Sequence, residues 1–142
     1  MVAYSFKKRF GPPILAGTKA QTIRADRKRH ARPGEQLQLF TGMRTKHCRR
    51  LGEPGCEEVV PVRMRFNRWD SGAEIWIDTT PMATVLHDTF AQADGFASLL
   101  DMRLFWFAEH APTENEIDFR GWLITWTPLV PADALDIAAR AA

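Results

Sequence analysis

The chain has 142 residues, a formal net charge of +2 and 45% hydrophobic residues, including five Trp and nine Phe. This length and composition predict one domain with a substantial buried core. No apolar run approaches the roughly 18–20 residues that a membrane-spanning helix needs, and the first ten residues lack the apolar core of a signal peptide. We therefore expect a cytoplasmic protein with no membrane partner.

Cysteine and histidine do not predict a metal site. The two cysteines, Cys48 and Cys56, suit a reducing compartment, where free thiols are the expected state. Together with His47 they supply too few well-spaced ligands for structural zinc, which takes four. We therefore expect neither a metal nor a cofactor.

Charge is distributed unevenly along the chain. Residues 1–50 hold thirteen Lys or Arg and two acids, a balance of +11, whereas residues 51–142 hold six Arg and fifteen acids, a balance of −9. This asymmetry favours a basic face that attracts a polyanion such as RNA. The alternative is that the two halves attract each other and leave no such face.

Six segments are predicted to be short strands: residues 4–9, 20–24, 36–41, 59–66, 74–78 and 117–126. Two basic loops, at residues 26–33 and 42–55, flank the third strand. A helical turn is expected to begin at Pro12 and to end at Gly17. The resulting mixture predicts an α+β fold, a small mixed β-barrel with helices packed around it.

Two further helices are predicted after the fifth strand. The first covers residues 88–93 and stops near Gly95, and the second starts from an N-cap at Ser98 and runs to about residue 109. An apolar stripe on this second helix predicts its core-facing side, and comprises Leu99, Leu100, Leu104 and Phe107. Residues 6–128 are expected to form the core of the domain, and residues 129–142 a C-terminal helical tail.

The segment PPILAGTKAQTIR, residues 12–24, concentrates polar function beside an apolar anchor. Lys19 follows the predicted helix stop, and Thr22 and Arg24 share one face of the following strand. A lysine, a hydroxyl and a guanidinium are thus delivered within six residues. A plainer interpretation is also open, in which Lys19 is a solvated loop lysine, Thr22 an ordinary strand residue and Arg24 a surface charge.

Four segments in order resemble the ASCH domain family of the PUA-like superfamily: ILAGTKAQTIR, RPGEQLQLFTGMRTKHCR, ADGFASLLDMRLFWF and FRGWLITWTPL. The resemblance covers about residues 6–126. It implies a PUA-like β-barrel associated with RNA, and in some relatives a small amidohydrolase acting on N(4)-acetylcytidine. In those relatives a Lys and a Thr of the first motif act with a Glu before the second helix. The matching residues are Lys19, Thr22 and Asp94, where Asp is one methylene shorter than the family's Glu.

This set of residues suits amide hydrolysis. Threonine is a poor nucleophile unless a base or charge activates it, and Lys19 can accept its proton if burial near Arg24 lowers the lysine pKa. Asp94 can then pass a proton to the leaving amine, although it can also simply finish the turn before Gly95. Arg24 is expected to bind an anion or a carbonyl, or to pair with Asp94.

Two functions of different class therefore compete. One is an amide hydrolase for an acylated cytidine, and the other is a non-catalytic module that binds single-stranded RNA on its basic loops, where Arg44 and Lys46 are expected to contact the ligand. A ribonuclease is a third alternative, although no recognisable catalytic pair involves the histidines, which are His30, His47, His87 and His110. The expected partner is RNA or a nucleoside.

Overall fold

The computed structural model describes residues 1–130, so the predicted C-terminal tail lies outside the described residues except for its first two. The described strands are β1 (Val2–Phe6), β2 (Gln21–Arg24), β3 (Leu37–Thr41), β4 (Arg49–Gly52), β5 (Cys56–Asn67), β6 (Ala73–Ile77), β7 (Thr80–Pro81) and β8 (Glu116–Trp126). The α-helices are α1 (Gly11–Ala16), α2 (His87–Ala93) and α3 (Leu99–His110), and short 3-10 turns precede α1 and α2.

The strands form two sheets. One has the order β1-β3-β4, with β1 and β3 parallel, and the other has the order β2-β8-β5-β6-β7 with antiparallel neighbours throughout. The predicted α+β class is thus confirmed. Over residues 1–130, however, the strands pair as two separate sheets, and their pairing does not close a single barrel.

The six predicted strands are all present, and two short strands were missed. The missed strands are β4 and β7. β4 lies inside the second predicted basic loop, and it was missed because its sequence, RRLG, offers one buried residue, Leu51, and no alternating pattern. The first strand lies earlier than predicted, since the chain leaves it after Phe6 and residues 8–10 form a 3-10 turn. Local capping chemistry was read correctly at both ends of α1 and at the start of α3, where Ser98 Oγ accepts from the Asp101 amide.

The predicted core stripe of α3 is correct at Phe107, which is buried, and at Leu99, which packs against the core, but it is wrong at Leu100 and Leu104. Leu100 and Leu104 are 59% and 63% exposed, whereas the buried side of the helix comprises Met102, Arg103, Trp106 and Phe107. The two aromatic rings on that side bury more apolar surface than two leucines can, which turns them to the core. Arg103 is buried with them because its guanidinium donates to the carbonyl oxygens of Asn67 and Asp70.

The core lies between the two sheets and the helices. Its largest fully buried side chains are Tyr4, Ile14, Leu37, Leu39, Met64, Ile75, Met102, Ile124 and Trp126. They come from both sheets, α1 and α3, and the ring of Phe6 in β1 meets that of Trp126 in β8 edge to face at 5.9 Å. Within residues 1–130, no helix is long and apolar enough to cross a membrane.

The turn between α2 and α3 depends on Gly95. Its φ is +97°, a value that favours glycine, and an added Cβ would lie 2.7 Å from Lys19 Cδ and 2.9 Å from Phe10 Cδ1. We predict that Gly95→Ala lowers the free energy of unfolding by about 1–3 kcal/mol, measured by urea denaturation. Gly55→Ala is the matched control, because nothing lies within 4 Å of its Cβ position. Equal effects of the two substitutions would contradict this account of the turn.

Candidate active site

A cavity of about 530 Å³ opens where the two sheets meet. The outer edges of β1 and β2 border it, and the turn between α2 and α3 and the last turns of α3 close it. Its lining residues include Ser5, Phe6, Lys7, Phe10, Lys19, Thr22, Ile23, Arg24, Asp94, Phe96, Phe105, Trp106, His110, Ile117 and Phe119. The cavity is therefore largely aromatic, with a cluster of charged and hydroxyl groups at β2.

The end of α1 directs Lys19 inward. Gly17 adopts the left-handed conformation with φ +81°, and its amide donates to the Ile14 carbonyl, which ends the helix. The amides of Thr18 and Lys19 both donate to the Pro13 carbonyl, so the chain folds back tightly before β2 begins. The Lys19 side chain consequently points into the protein and is only 3% exposed. The interpretation of Lys19 as a solvated loop residue is therefore wrong.

Lys19 and Asp94 form a buried ion pair. Lys19 Nζ lies 3.5 Å from Asp94 Oδ1, and it donates to the backbone carbonyls of Asp94 at 2.6 Å and Gln21 at 2.8 Å. These three acceptors match the three N–H groups of an ammonium. The rings of Phe6 and Phe10 lie 5.5 Å and 4.8 Å from Nζ and add cation–π attraction.

Asp94 is held from two sides. Besides its ion pair, its Oδ1 accepts a hydrogen bond from Gln21 Nε2 at 3.2 Å. The backbone of Gly95 lies close to Lys19 and Phe10. This close approach brings Asp94 near enough for its short side chain to reach Lys19. Asp94 thus lines the cavity, although it also ends α2 as the plainer interpretation proposed.

Thr22 is connected to Arg24 rather than to Lys19. Its Oγ1 accepts from Arg24 Nε at 2.9 Å, while Arg24 Nη2 donates to the Ser5 carbonyl at 2.7 Å. Arg24 therefore bridges the free edges of the two sheets, and its guanidinium lies over the rings of Tyr4 and Phe6. The carboxylate of Asp94 has Lys19 as its ion-pair partner, so the predicted alternative of an Arg24–Asp94 pair is not the arrangement found.

Burial shifts both members of the ion pair toward their neutral forms. It raises the pKa of Asp94 above its ordinary value, against the opposing charge of Lys19. It lowers the pKa of Lys19, with a smaller contribution in the same direction from Arg24, against the opposing charge of Asp94. Both shifts make the transfer of a proton from the Lys19 ammonium to the Asp94 carboxylate less costly than it is between the same groups in water.

Aromatic rings form the apolar walls of the cavity. Phe10, Phe96 and Phe105 pack against one another with centroid separations of 5.2–5.4 Å, and Phe119 meets Trp106 at 4.8 Å. Arg9 covers the first cluster from outside, 5.0 Å from the centroid of Phe96. Such walls can stack a planar base on either face.

Of the six predicted site residues, Lys19, Thr22, Arg24 and Asp94 line this cavity, and Arg44 and Lys46 do not. The latter two are exposed on the loop between β3 and β4. Sequence reasoning missed Gln21 and the Ser5 carbonyl, as well as the aromatic walls. Gln21 alternates with Thr22 and Arg24 along β2, so strand periodicity places it on the other face from these two residues. The other groups depend on contacts between distant segments.

The residues of this site do not resemble a metal centre. Over residues 1–130, no group of three or more His, Cys, Asp or Glu side chains is arranged to hold a metal ion. At β2 and the facing turn, the polar groups are instead a lysine, a hydroxyl, a guanidinium and the Asp94 carboxylate, a set suited to proton transfer and to binding a carbonyl or an anion. Two more carboxylates, Glu116 and Asp118, line the cavity from β8.

Comparisons of the chain with protein-family models, with curated proteins and with solved structures find no match. The resemblance to the ASCH family consequently remains a prediction carried by the sequence motifs.

Breaking the buried pair is expected to make stability depend on pH. We predict that Lys19→Met lowers the free energy of unfolding by about 3–5 kcal/mol at neutral pH, because Asp94 is left as an unpaired buried carboxylate. Since burial raises the folded pKa of Asp94 above its ordinary 3.8, its stabilising contribution is complete below that value and is lost as the pH rises through the folded pKa. The deficit of the variant should therefore shrink as the pH is lowered.

Urea denaturation at a series of pH values measures this deficit. Lys28→Met, which changes an exposed lysine, should have little effect at any pH, and the double variant Lys19→Met/Asp94→Asn should recover part of the loss at neutral pH. A deficit in Lys19→Met that is the same at every pH would show that Asp94 does not carry it.

Proposed function

We propose that this chain is a PUA-like ASCH-domain protein that hydrolyses the amide of an N(4)-acylated cytidine, with N(4)-acetylcytidine as its first substrate to test. One observation carries the proposal: Lys19, Thr22 and Asp94 line a single aromatic-walled cavity, although Asp94 is more than seventy residues from the other two in the chain. A PUA-like barrel is compatible with two sheets whose free edges Arg24 bridges.

The size and lining of the cavity suit a nucleoside. Its volume of about 530 Å³ falls in the range of small-molecule sites, roughly 300–1,000 Å³. The rings of Phe10, Phe96 and Phe105 are available to stack a pyrimidine, and the polar groups at β2 then meet its exocyclic acylamide. This orientation brings the acyl carbonyl carbon toward Thr22.

Thr22 is the nucleophile in this proposal. The hydrogen bond that its oxygen accepts from Arg24 Nε favours the alkoxide, since a guanidinium is a fixed positive charge. The alkoxide attacks the acyl carbon, and a C–O bond forms while the carbonyl oxygen takes the negative charge. Arg24 thereby acts on the hydroxyl, a role different from the carboxylate pairing considered above.

In this mechanism the Lys19–Asp94 pair accepts the proton of the Thr22 hydroxyl and later supplies a proton to the leaving N4 atom. Transfer from the Lys19 ammonium to Asp94 leaves an amine that can accept the Thr22 proton, in the direction that both pKa shifts favour. When the tetrahedral intermediate collapses, the C–N bond breaks and the leaving N4 takes a proton from Lys19. Water then cleaves the acyl-threonine ester, giving the carboxylic acid and restoring the Thr22 hydroxyl, so that cytidine and acetate are the products.

Thr22→Ala tests the nucleophile. We expect this variant to lose hydrolysis of N(4)-acetylcytidine, measured by chromatographic separation of the nucleoside from cytidine, while it stays folded. Its free energy of unfolding should fall by about 1–3 kcal/mol, because Arg24 Nε loses the hydroxyl oxygen to which it donates. Thr22→Ser is the matched control, since it keeps the hydroxyl. Turnover by purified Thr22→Ala close to that of the wild type would exclude Thr22 as the nucleophile.

Asp94 offers a second test of the same mechanism. We expect Asp94→Asn to lower the rate by about 10²–10⁴-fold, the usual contribution of a general acid–base group. Asp94→Glu should also lower it, because the close Gly95 turn already compensates for the shorter side chain. Unchanged turnover in both variants would remove Asp94 from the mechanism.

RNA binding without turnover is the second candidate, and a specific observation favours it. The residues Arg27, Lys28, Arg29, Arg44, Lys46, Arg49 and Arg50 are all exposed. Within residues 1–130, two of these seven residues form ion pairs, Arg29 with Glu35 and Arg50 with Glu53. The loop with Arg44 and Lys46 leaves β3 at Thr41, whose register partner in β1 is Phe6 of the cavity. A single-stranded RNA with its end in the cavity can therefore extend toward this loop.

The salt dependence of RNA affinity tests this candidate. For a single strand, each phosphate contact contributes about −0.7 to the slope of log affinity against log salt. We expect Arg44→Gln/Lys46→Gln to make the slope shallower by about 1.4 units, measured by fluorescence anisotropy. Arg65→Gln/Arg120→Gln, on the outer face of the five-stranded sheet, should leave it unchanged. A slope that is flat in the wild-type protein would exclude binding through the basic loops.

A further inference from the structure

The outer face of α3 is apolar, and no other element of residues 1–130 covers it. Between residues 99 and 108, the exposed positions are Leu100, Leu104 and Ala108, which are spaced four residues apart. A solvent-facing helix surface normally carries polar side chains, whereas this one presents a continuous apolar row. Beside the row lies a groove of about 330 Å³, which is also lined by Phe107 and Pro112 and by two arginines, Arg68 and Arg103.

We propose that this face is the interface of a homodimer, in which two copies of α3 pack antiparallel about a twofold axis at Leu104. Side chains four residues apart along a helix form a ridge on its surface, and such ridges make the contacts when two helices pack. The twofold axis places Leu104 against Leu104, and Leu100 of each copy against Ala108 of the other. A large side chain thus meets a small one on both sides of the axis, and the contact is self-complementary.

Charges at the two ends of α3 favour a second copy over an unrelated partner. Arg68 is fixed at the C-terminal end, where it donates to the carbonyls of Ala111, Pro112 and Glu114 and covers the ring of Phe107. Asp88 is fixed at the N-terminal end, where it accepts from the Leu99 amide at 2.8 Å.

Antiparallel packing brings these two ends together. Arg68 of one copy then faces Asp88 of the other, and the pair occurs twice in the dimer. In the part of the chain that the structure describes, neither side chain has an ion-pair partner of its own. A partner surface that is purely acidic or purely basic would complement only Arg68 or only Asp88. A second copy of this chain complements both.

The length of the row predicts a reversible dimer. Eight residues separate Leu100 from Ala108, which at 1.5 Å per residue is about 12 Å. Exposed Val85 and Leu86, just before Asp88 in the chain, extend the apolar surface at one end. A contact of this size belongs with small, transient interfaces, so we expect the dimer to form as the protein concentration rises.

Sedimentation velocity of the full chain at increasing concentration tests the proposal. The wild type should shift from monomer to dimer, and Leu104→Glu should remain monomeric because it brings two carboxylates together at the axis. Ala16→Glu, at an exposed position of α1, is the control and should still dimerise. Asp88→Asn keeps the acceptor for the Leu99 amide and should raise the dissociation constant of the dimer about 2- to 30-fold, as expected for losing two exposed ion pairs.

Cysteine cross-linking tests the geometry separately. In a Cys48→Ser background, Leu104→Cys should form an intermolecular disulfide on oxidation. Leu100→Cys alone should not, because its two copies lie about 12 Å apart along the axis, beyond the reach of a disulfide. Leu100→Cys combined with Ala108→Cys should cross-link. A wild-type monomer at every concentration, or a dimer that persists in Leu104→Glu, would overturn the proposal, because another occupant or another surface would then be responsible.

Discussion

The buried ion pair between Lys19 and Asp94 is the interaction on which the candidate site depends. Removing two charges from water costs several kcal/mol for each ion, and such a pair is tolerated only where further hydrogen bonds complete it. Here those bonds come from the carbonyls of Gln21 and Asp94 and from the Gln21 amide. The pair joins the segment just before β2 to the turn before α3, so the same contacts that satisfy the charges also form one end of the cavity.

The cavity itself follows from the way the two sheets meet. β1 and β2 are edge strands, and the contact between their facing edges comes from a side chain, Arg24, which reaches the Ser5 carbonyl. A closed sheet would fill this position with backbone hydrogen bonds. The opening leaves room for a ligand between aromatic rings of α3 and the polar groups of β2, and it keeps Thr22 beside a permanent positive charge.

The parts of the fold that the sequence predicted are those controlled by neighbouring residues. The helix from Pro12 to its stop at Gly17, the strand that follows and the Ser98 cap of α3 all depend on local backbone chemistry. The burial of Lys19 could not be predicted in this way, because the acid that pairs with it is 75 residues away. The buried side of α3 was predicted only in part for a similar reason: Leu100 and Leu104 fit the helical period together with Phe107, but Met102 and Trp106 cover the core in place of the two leucines.

Diffraction from crystals of Thr22→Ala grown with N(4)-acetylcytidine tests the central claim most directly, because it locates the ligand without requiring turnover. The account predicts the base between the aromatic walls of the cavity, with the acyl carbon facing the position of the missing Thr22 hydroxyl and within reach of Lys19. A nucleoside bound elsewhere on the protein, or bound in the cavity with its acyl group turned away from Thr22 and Lys19, would contradict it.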